Sequence, residues 1–118
     1  MKRNQTIRAL VGASVFSLSV AAHAHSPLQS TVPPEGATLD TAPKVITLSF
    51  TRDFRVTRVT ATRVSEQPVV LNTGHITAFT RSVDVPLEST GVGDYRIEWR
   101  GLSGDGHVQT GAFTFTVR

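Results

Sequence analysis

From Lys44 onward, apolar and polar residues alternate with a period of two. In Lys44–Phe50 the residues Ile46, Leu48 and Phe50 share one face, and Thr47 and Ser49 share the other. This is the pattern of a half-buried strand. Phe54–Val64 is rich in β-branched residues (Val56, Thr57, Val59, Thr60, Thr62, Val64), but Arg55, Arg58 and Arg63 do not keep one parity. An extra residue near Thr57, forming a bulge or bend, accounts for the slip. Pro68–Leu71 reads as a short strand ending at the Asn72-Thr73-Gly74 turn. Val83, Val85 and Leu87 alternate again before the turn at Glu88–Gly91. The two clearest strands come last. Tyr95, Ile97 and Trp99 face one way and Arg96, Glu98 and Arg100 the other, where the charges can pair with adjacent strands. In Phe113–Val117 the phenylalanines and Val117 point inward and the threonines outward.

No stretch of the chain after residue 25 places apolar residues at helical spacing, and no repeat is present. Six or seven short strands separated by turns predict an all-β fold, an antiparallel two-sheet sandwich or small Greek-key barrel. Phe50, Tyr95, Trp99, Phe113 and Phe115 are core residues by their alternation. Ser26–Pro43 reads as an irregular opening, because Pro27, Pro33, Pro34, Gly36 and Pro43 exclude a helix. Leu28–Val32 fits a short edge strand within it.

The N-terminal pattern is different. Lys2, Arg3 and Arg8 precede an apolar and small-residue run, Ala9–Ala22, which ends in Ala22-His23-Ala24. That is the form of a secretory signal peptide, residues 1–24, and the run is too short to anchor the chain in a bilayer. Cleavage after Ala24 leaves a domain of residues 25–118 that begins with His25 and implies export to the periplasm. His23 departs with the leader.

Processing changes the charge. The chain carries twelve Lys and Arg against nine Asp and Glu, a net +3. Three of the basic residues lie in the leader, so the remainder is balanced, nine against nine. The basicity that suggests nucleic acid or an anionic membrane disappears with the leader. There is no cysteine, and Met1 is the single methionine. Disulfides, thiolate sites and thioether sites are therefore excluded from the processed chain.

Candidate chemistry lies at the two ends of the processed domain. An N-terminal His25 offers its amine and its imidazole Nδ1 to one ion. Between the last two strands, Gly101-Leu102-Ser103-Gly104-Asp105-Gly106-His107 sets a carboxylate and an imidazole two residues apart. In an extended segment Asp105 and His107 project from the same face; Asp-Gly is equally ordinary turn chemistry. Together, three nitrogens and one oxygen suit tetragonal Cu(II), with Zn(II) a weaker occupant. Pro27 has no N–H, so the tail cannot wrap an ion with successive amides beyond Ser26.

Several segments together resemble the CopC-like periplasmic copper-binding proteins. They are Ala22-His23-Ala24-His25, Val32-Pro33-Pro34-Glu35-Gly36, Leu48-Ser49-Phe50, Gly93–Arg100, Ser103-Gly104-Asp105-Gly106-His107 and Gly111–Phe115. The resemblance implies a Cu(II) carrier or buffer that is not an enzyme, with His25, Asp105 and His107 as metal ligands. It also implies a cupredoxin-like or immunoglobulin-like β-barrel and an inner-membrane CopD-like transporter as the partner that receives the copper; the domain is expected to be a monomer. Two departures stand out. The methionine-rich Cu(I) loop of some members has no counterpart, and their Phe-Ser-Glu segment reads Phe50-Thr51-Arg52-Asp53 here. His75, after the Asn-Thr-Gly turn, reads as an exposed loop residue, with a Cu(I)-site remnant or a transfer contact as its functional alternative. A metal-free immunoglobulin-like interaction module fits the strand pattern equally well. A small histidine-brace copper monooxygenase shares the N-terminal histidine.

Overall fold

The computed structural model describes Gly12, residues 26–89 and residues 91–118. The signal peptide expected at residues 1–24 and the candidate ligand His25 lie outside the described residues, Gly12 apart. Seven strands follow in order: β1 (Leu28–Val32), β2 (Ala37–Leu39), β3 (Val45–Arg63), β4 (Val69–Val70), β5 (Thr80–Pro86), β6 (Gly93–Ser103) and β7 (Val108–Val117). The fold is all-β, as the alternation predicts.

β3 organises the rest. Its first half, Val45–Ser49, pairs with β1 on one side and β5 on the other. Its second half pairs with β6 from Phe54 to Arg63, and with β4 at Thr60 and Ala61. Between the halves, Thr51, Arg52 and Asp53 are exposed. The strand thus leaves a β1-β3-β5 layer and enters a β4-β3-β6-β7-β2 layer, and the two layers enclose one core. The sequence pattern suggests two strands here, 44–50 and 54–64; the structure joins them, because the backbone stays extended through the crossing.

Alternation along β3 places Ile46, Leu48, Phe50, Phe54 and Val56 in the core. Register then shifts between Val56 and Arg58, so Val59 and Ala61 continue the buried set. Thr57 is the extra residue of a bulge, where the slip in parity predicts one.

The ring system at the crossing is tight. Phe50 and Phe54 lie 4.5 Å apart by ring centroid, and Trp99 meets both edge-on at 5.7 and 5.6 Å. Tyr95 stacks on Phe115 at 4.9 Å. Edge-to-face pairs of this kind add about 0.5–1.5 kcal/mol each beyond the area they bury.

Two features differ from the expectation. β2 forms inside the opening that reads as irregular, and it pairs with β7 in parallel, Ala37 opposite Phe115 through Leu39 opposite Val117. The sheet is therefore mixed rather than antiparallel throughout. A three-residue strand carries no periodic pattern of its own. Its placement comes from the preceding turn: Glu35 accepts hydrogen bonds from Thr114 N (2.9 Å) and Thr114 Oγ1 (3.1 Å), while Gly36 N donates to Thr114 O at 2.8 Å. The outer-face charges of β6 also pair differently. Arg96 meets Glu98 on its own strand at 2.9 Å, and no bridge crosses to β3 or β7 among the described residues.

Gly101 marks the closest approach of β6 to β3. A Cβ there would stand 2.3 Å from the Phe54 ring and 2.4 Å from the Arg55 carbonyl oxygen. The second contact is backbone and cannot swing aside. Gly101→Ala is expected to destabilise the domain by about 1–3 kcal/mol, the usual range for overpacking, measured as a lower urea midpoint at unchanged slope.

Candidate metal centre

β6 and β7 are joined by a tight hairpin, and the chemistry of Ser103–His107 sits in it. Ser103 N donates to His107 O at 3.0 Å and Gly106 N donates to Ser103 O at 2.9 Å, closing a turn over Gly104 and Asp105. Gly106 has φ +88°, a left-handed conformation that only glycine takes without strain. Asp105 and His107 therefore meet because the chain turns back, not because an extended strand projects them from one face. This corrects the reading from alternation. The turn chemistry of Ser-Gly-Asp-Gly prevails over strand geometry once the segment leaves the ladder.

Within the turn, Asp105 is held on three sides. Its Oδ1 accepts from Ser103 Oγ in a short hydrogen bond and from His107 N at 3.2 Å. Its Oδ2 faces His107 Nδ1 at 2.9 Å. The hydrogen bond from Ser103 first, then that from the His107 amide, hold the Asp105 carboxyl down to about 2 against an ordinary 3.8. An ionised carboxylate only accepts, so Nδ1 of His107 carries the proton of this contact, and in the neutral imidazole Nε2 keeps its lone pair. The His107 side chain is 79% exposed, so Nε2 is open to an incoming cation. A carboxylate that orients an imidazole through one nitrogen and leaves the other free is a recurring arrangement at metal sites.

Sequence reading places Ser103 in the motif and gives it no role of its own. Ser103 is buried, 7% exposed, and its Oγ also lies 3.2 Å from the His107 carbonyl. Its only trace in the sequence is a serine two positions before an aspartate in a glycine-rich turn.

Beside the hairpin lies an open basin of about 580 Å³ whose walls include Ser26, Pro27, Arg52, Asp53, Asp105 and Gln109. The segment that begins at Ser26 is tied there: Thr51 N and Oγ1 donate to Pro27 O at 2.8 and 3.2 Å. The start of the domain and Asp105 thus share one basin. Asp53 faces Arg81 at 3.7 Å, and Arg52 forms no salt bridge among the described residues. The Oε1 of Gln109 is buried without a hydrogen-bond partner in the same place. No group of three or more His, Asp or Glu side chains is placed to hold an ion among the described residues, which do not include His25. His75 stands apart from this end. Its Nε2 lies 2.7 Å from Asp84 O and pins the 72–79 loop to β5.

Fold and loop together define the class: a small all-β domain with a hydrogen-bonded Asp–His pair at one end of its core. The CopC domain model matches residues 28–118. Copper resistance protein C of Escherichia coli is 32% identical over 119 residues, covering 92% of this chain and 94% of that one. Protein YobA of Escherichia coli strain K12 is 31% identical over 115 residues, covering 93% and 90%. Among solved structures, CopC from Methylosinus trichosporium OB3b superposes with a TM-score of 0.64 at 24% identity, covering 79% of this chain and 93% of that one. PcoC, a methionine-rich copper resistance protein from Escherichia coli, gives 0.57 at 27% identity, covering 80% and 100%. The chain belongs to the CopC family.

The held-down carboxyl has a consequence for stability. Asp105 binds its proton more weakly folded than unfolded, so its contribution is present above pH 3.8 and is lost as pH falls towards about 2. Ser103→Ala removes the first cause and should return the carboxyl towards 3.8 in a carbon-detected NMR titration. In Asp105→Asn, the loss of stability between those two pH values should be shallower than in the parent, followed as the thermal midpoint against pH.

Proposed function

We propose that this chain is a periplasmic copper carrier, loaded with Cu(II) at the hairpin end of the domain. The observation that carries the reading is the basin shared by Ser26, Pro27 and Asp105. The residue before Ser26 is His25. After removal of residues 1–24 its amine and imidazole would enter beside the Asp105–His107 pair. The proposed ligands are those two nitrogens, the free Nε2 of His107 and a carboxylate oxygen of Asp105. Asp105 would then release one of its present contacts or act through His107 alone.

Support for copper comes from the family. Relatives across the full domain are named as copper resistance proteins. The donor set agrees: hard oxygen and imidazole nitrogen, with neither cysteine nor any methionine after Met1. In this respect the chain parts from the methionine-rich relative. It should hold Cu(II) and release copper on reduction. The role is carriage rather than catalysis, as a monomer, with hand-over to an inner-membrane CopD-like transporter.

Processing is part of the site, because a peptide-bonded His25 has no free amine. Protein beginning at His25 should take up one equivalent of Cu(II) and show an axial type-2 electron paramagnetic resonance spectrum. His107→Ala, His25→Ala, or one extra residue before His25 should each weaken binding by about 10–100-fold or more, the scale seen when a metal ligand loses its support. A processed protein without a stoichiometric Cu(II) signal refutes the proposal. Intact mass of the exported protein tests the cleavage itself.

A further inference from the structure

The outer face of the β3-β6-β7 layer carries arginines that the fold does not explain. Arg58 on β3 stands directly opposite Arg100 on β6, and Arg55 stands opposite Leu102, two pairs nearer the hairpin. Arg96 lies further along β6 and is the one member with a carboxylate, Glu98. Neither Arg58, Arg100 nor Arg55 forms a salt bridge among the described residues. Like charges directly opposite each other in an antiparallel pair are destabilising. Folding alone gives no reason to keep the pair.

The Thr57 bulge creates this arrangement. Phe54 and Val56 point inward, so strict alternation would also turn Arg58 inward. The extra residue reverses the parity, sends Arg58 outward against Arg100, and is tied in place by Thr57 Oγ1 donating to Arg100 O at 3.2 Å. Between the arginines the surface dips into an open depression whose lining includes Thr110, Gly111 and Ala112 of β7. The small residues of β7 leave the guanidinium groups accessible.

We propose that this face docks a carboxylate-bearing segment of a partner protein, with Arg58 and Arg100 gripping its acidic side chains. Planar guanidinium forks match carboxylates bidentately and are over-represented at protein interfaces. An anionic lipid surface or a nucleic acid fits less well. Residues 26–118 carry as many acidic as basic residues, so no long-range positive field attracts a polyanion. Arg100 precedes Ser103 by three residues, about 10 Å along a strand. A partner seated on the arginines therefore reaches the Asp105–His107 hairpin. A use of this contact in copper transfer rests on the carrier reading; the docking itself does not.

The test is a titration of copper-free, isotope-labelled protein beginning at His25 with a synthetic octapeptide of alternating glutamate and serine, followed by NMR. Amide shifts are expected at residues 96–101 and 109–112, with affinity falling as salt rises from about 50 to about 200 mM. Arg58→Gln/Arg100→Gln should weaken binding about tenfold or more and raise the thermal midpoint, because a repulsion is removed. Lys44→Gln, exposed outside this face, should change neither. Shifts that map elsewhere, no binding, or an equal loss in Lys44→Gln would overturn the proposal. So would arginine-dependent binding to phosphatidylglycerol vesicles without binding to the peptide, which would assign the face to lipid. A Cu(II) titration of the double variant should match the parent. Failure of the parent to bind copper would remove the carrier reading and leave the peptide result standing.

Discussion

The domain depends on one packing constraint, the contact of Phe50 and Phe54 with Trp99 where β3 crosses between layers. Three consecutive exposed residues, Thr51, Arg52 and Asp53, would otherwise be a loop that could wander. The two phenylalanines that flank them are buried against the same indole, so both ends of the crossing are anchored to β6. Ordering this segment costs chain entropy of about 1–2 kcal/mol per residue. Burial of three aromatic side chains offsets it, at about 1.5–3 kcal/mol for a side chain of phenylalanine size.

The candidate metal centre inherits its geometry from that crossing. Thr51 holds Pro27, which brings the start of the domain to the basin. β6 runs from Trp99 through Gly101 into the hairpin, which brings Asp105 and His107 to the same place. The hairpin itself is rigid by hydrogen bonding rather than by burial, since its side chains other than Ser103 are exposed. A site of this kind is open on one side and fixed on the other, which agrees with the proposed uptake and release of copper. For the proposed carrier, the carboxylate is already ionised and the imidazole already oriented, so an arriving ion would displace at most one of the Asp105 contacts.

Much of this is legible in the sequence. The alternation of Ile46, Leu48, Phe50 and of Tyr95, Ile97, Trp99 names the core, and the broken parity of Arg55, Arg58 and Arg63 locates the Thr57 bulge. The reason is that the side-chain period of a strand is two, so burial leaves a direct imprint. The Asp-Gly-His spacing marks the hairpin as the place for chemistry. Its conformation was not legible, because a two-residue spacing serves an extended strand and a turn equally, and the choice lies in hydrogen bonds from Ser103 and His107.

Residue type and period alone establish the class of fold, the content of the core and the chemical kind of donor available after Met1: imidazole and carboxylate, without sulfur. Composition and period are local properties, and each residue carries them wherever the chain goes. Only the tertiary structure decided that β2 joins β7 in parallel, that Ser26 and Asp105 face one basin, and that Arg58 stands against Arg100. These are relations between segments tens of residues apart, set by the register of β3 against its neighbours and by the Glu35 contact to Thr114. No local pattern records them.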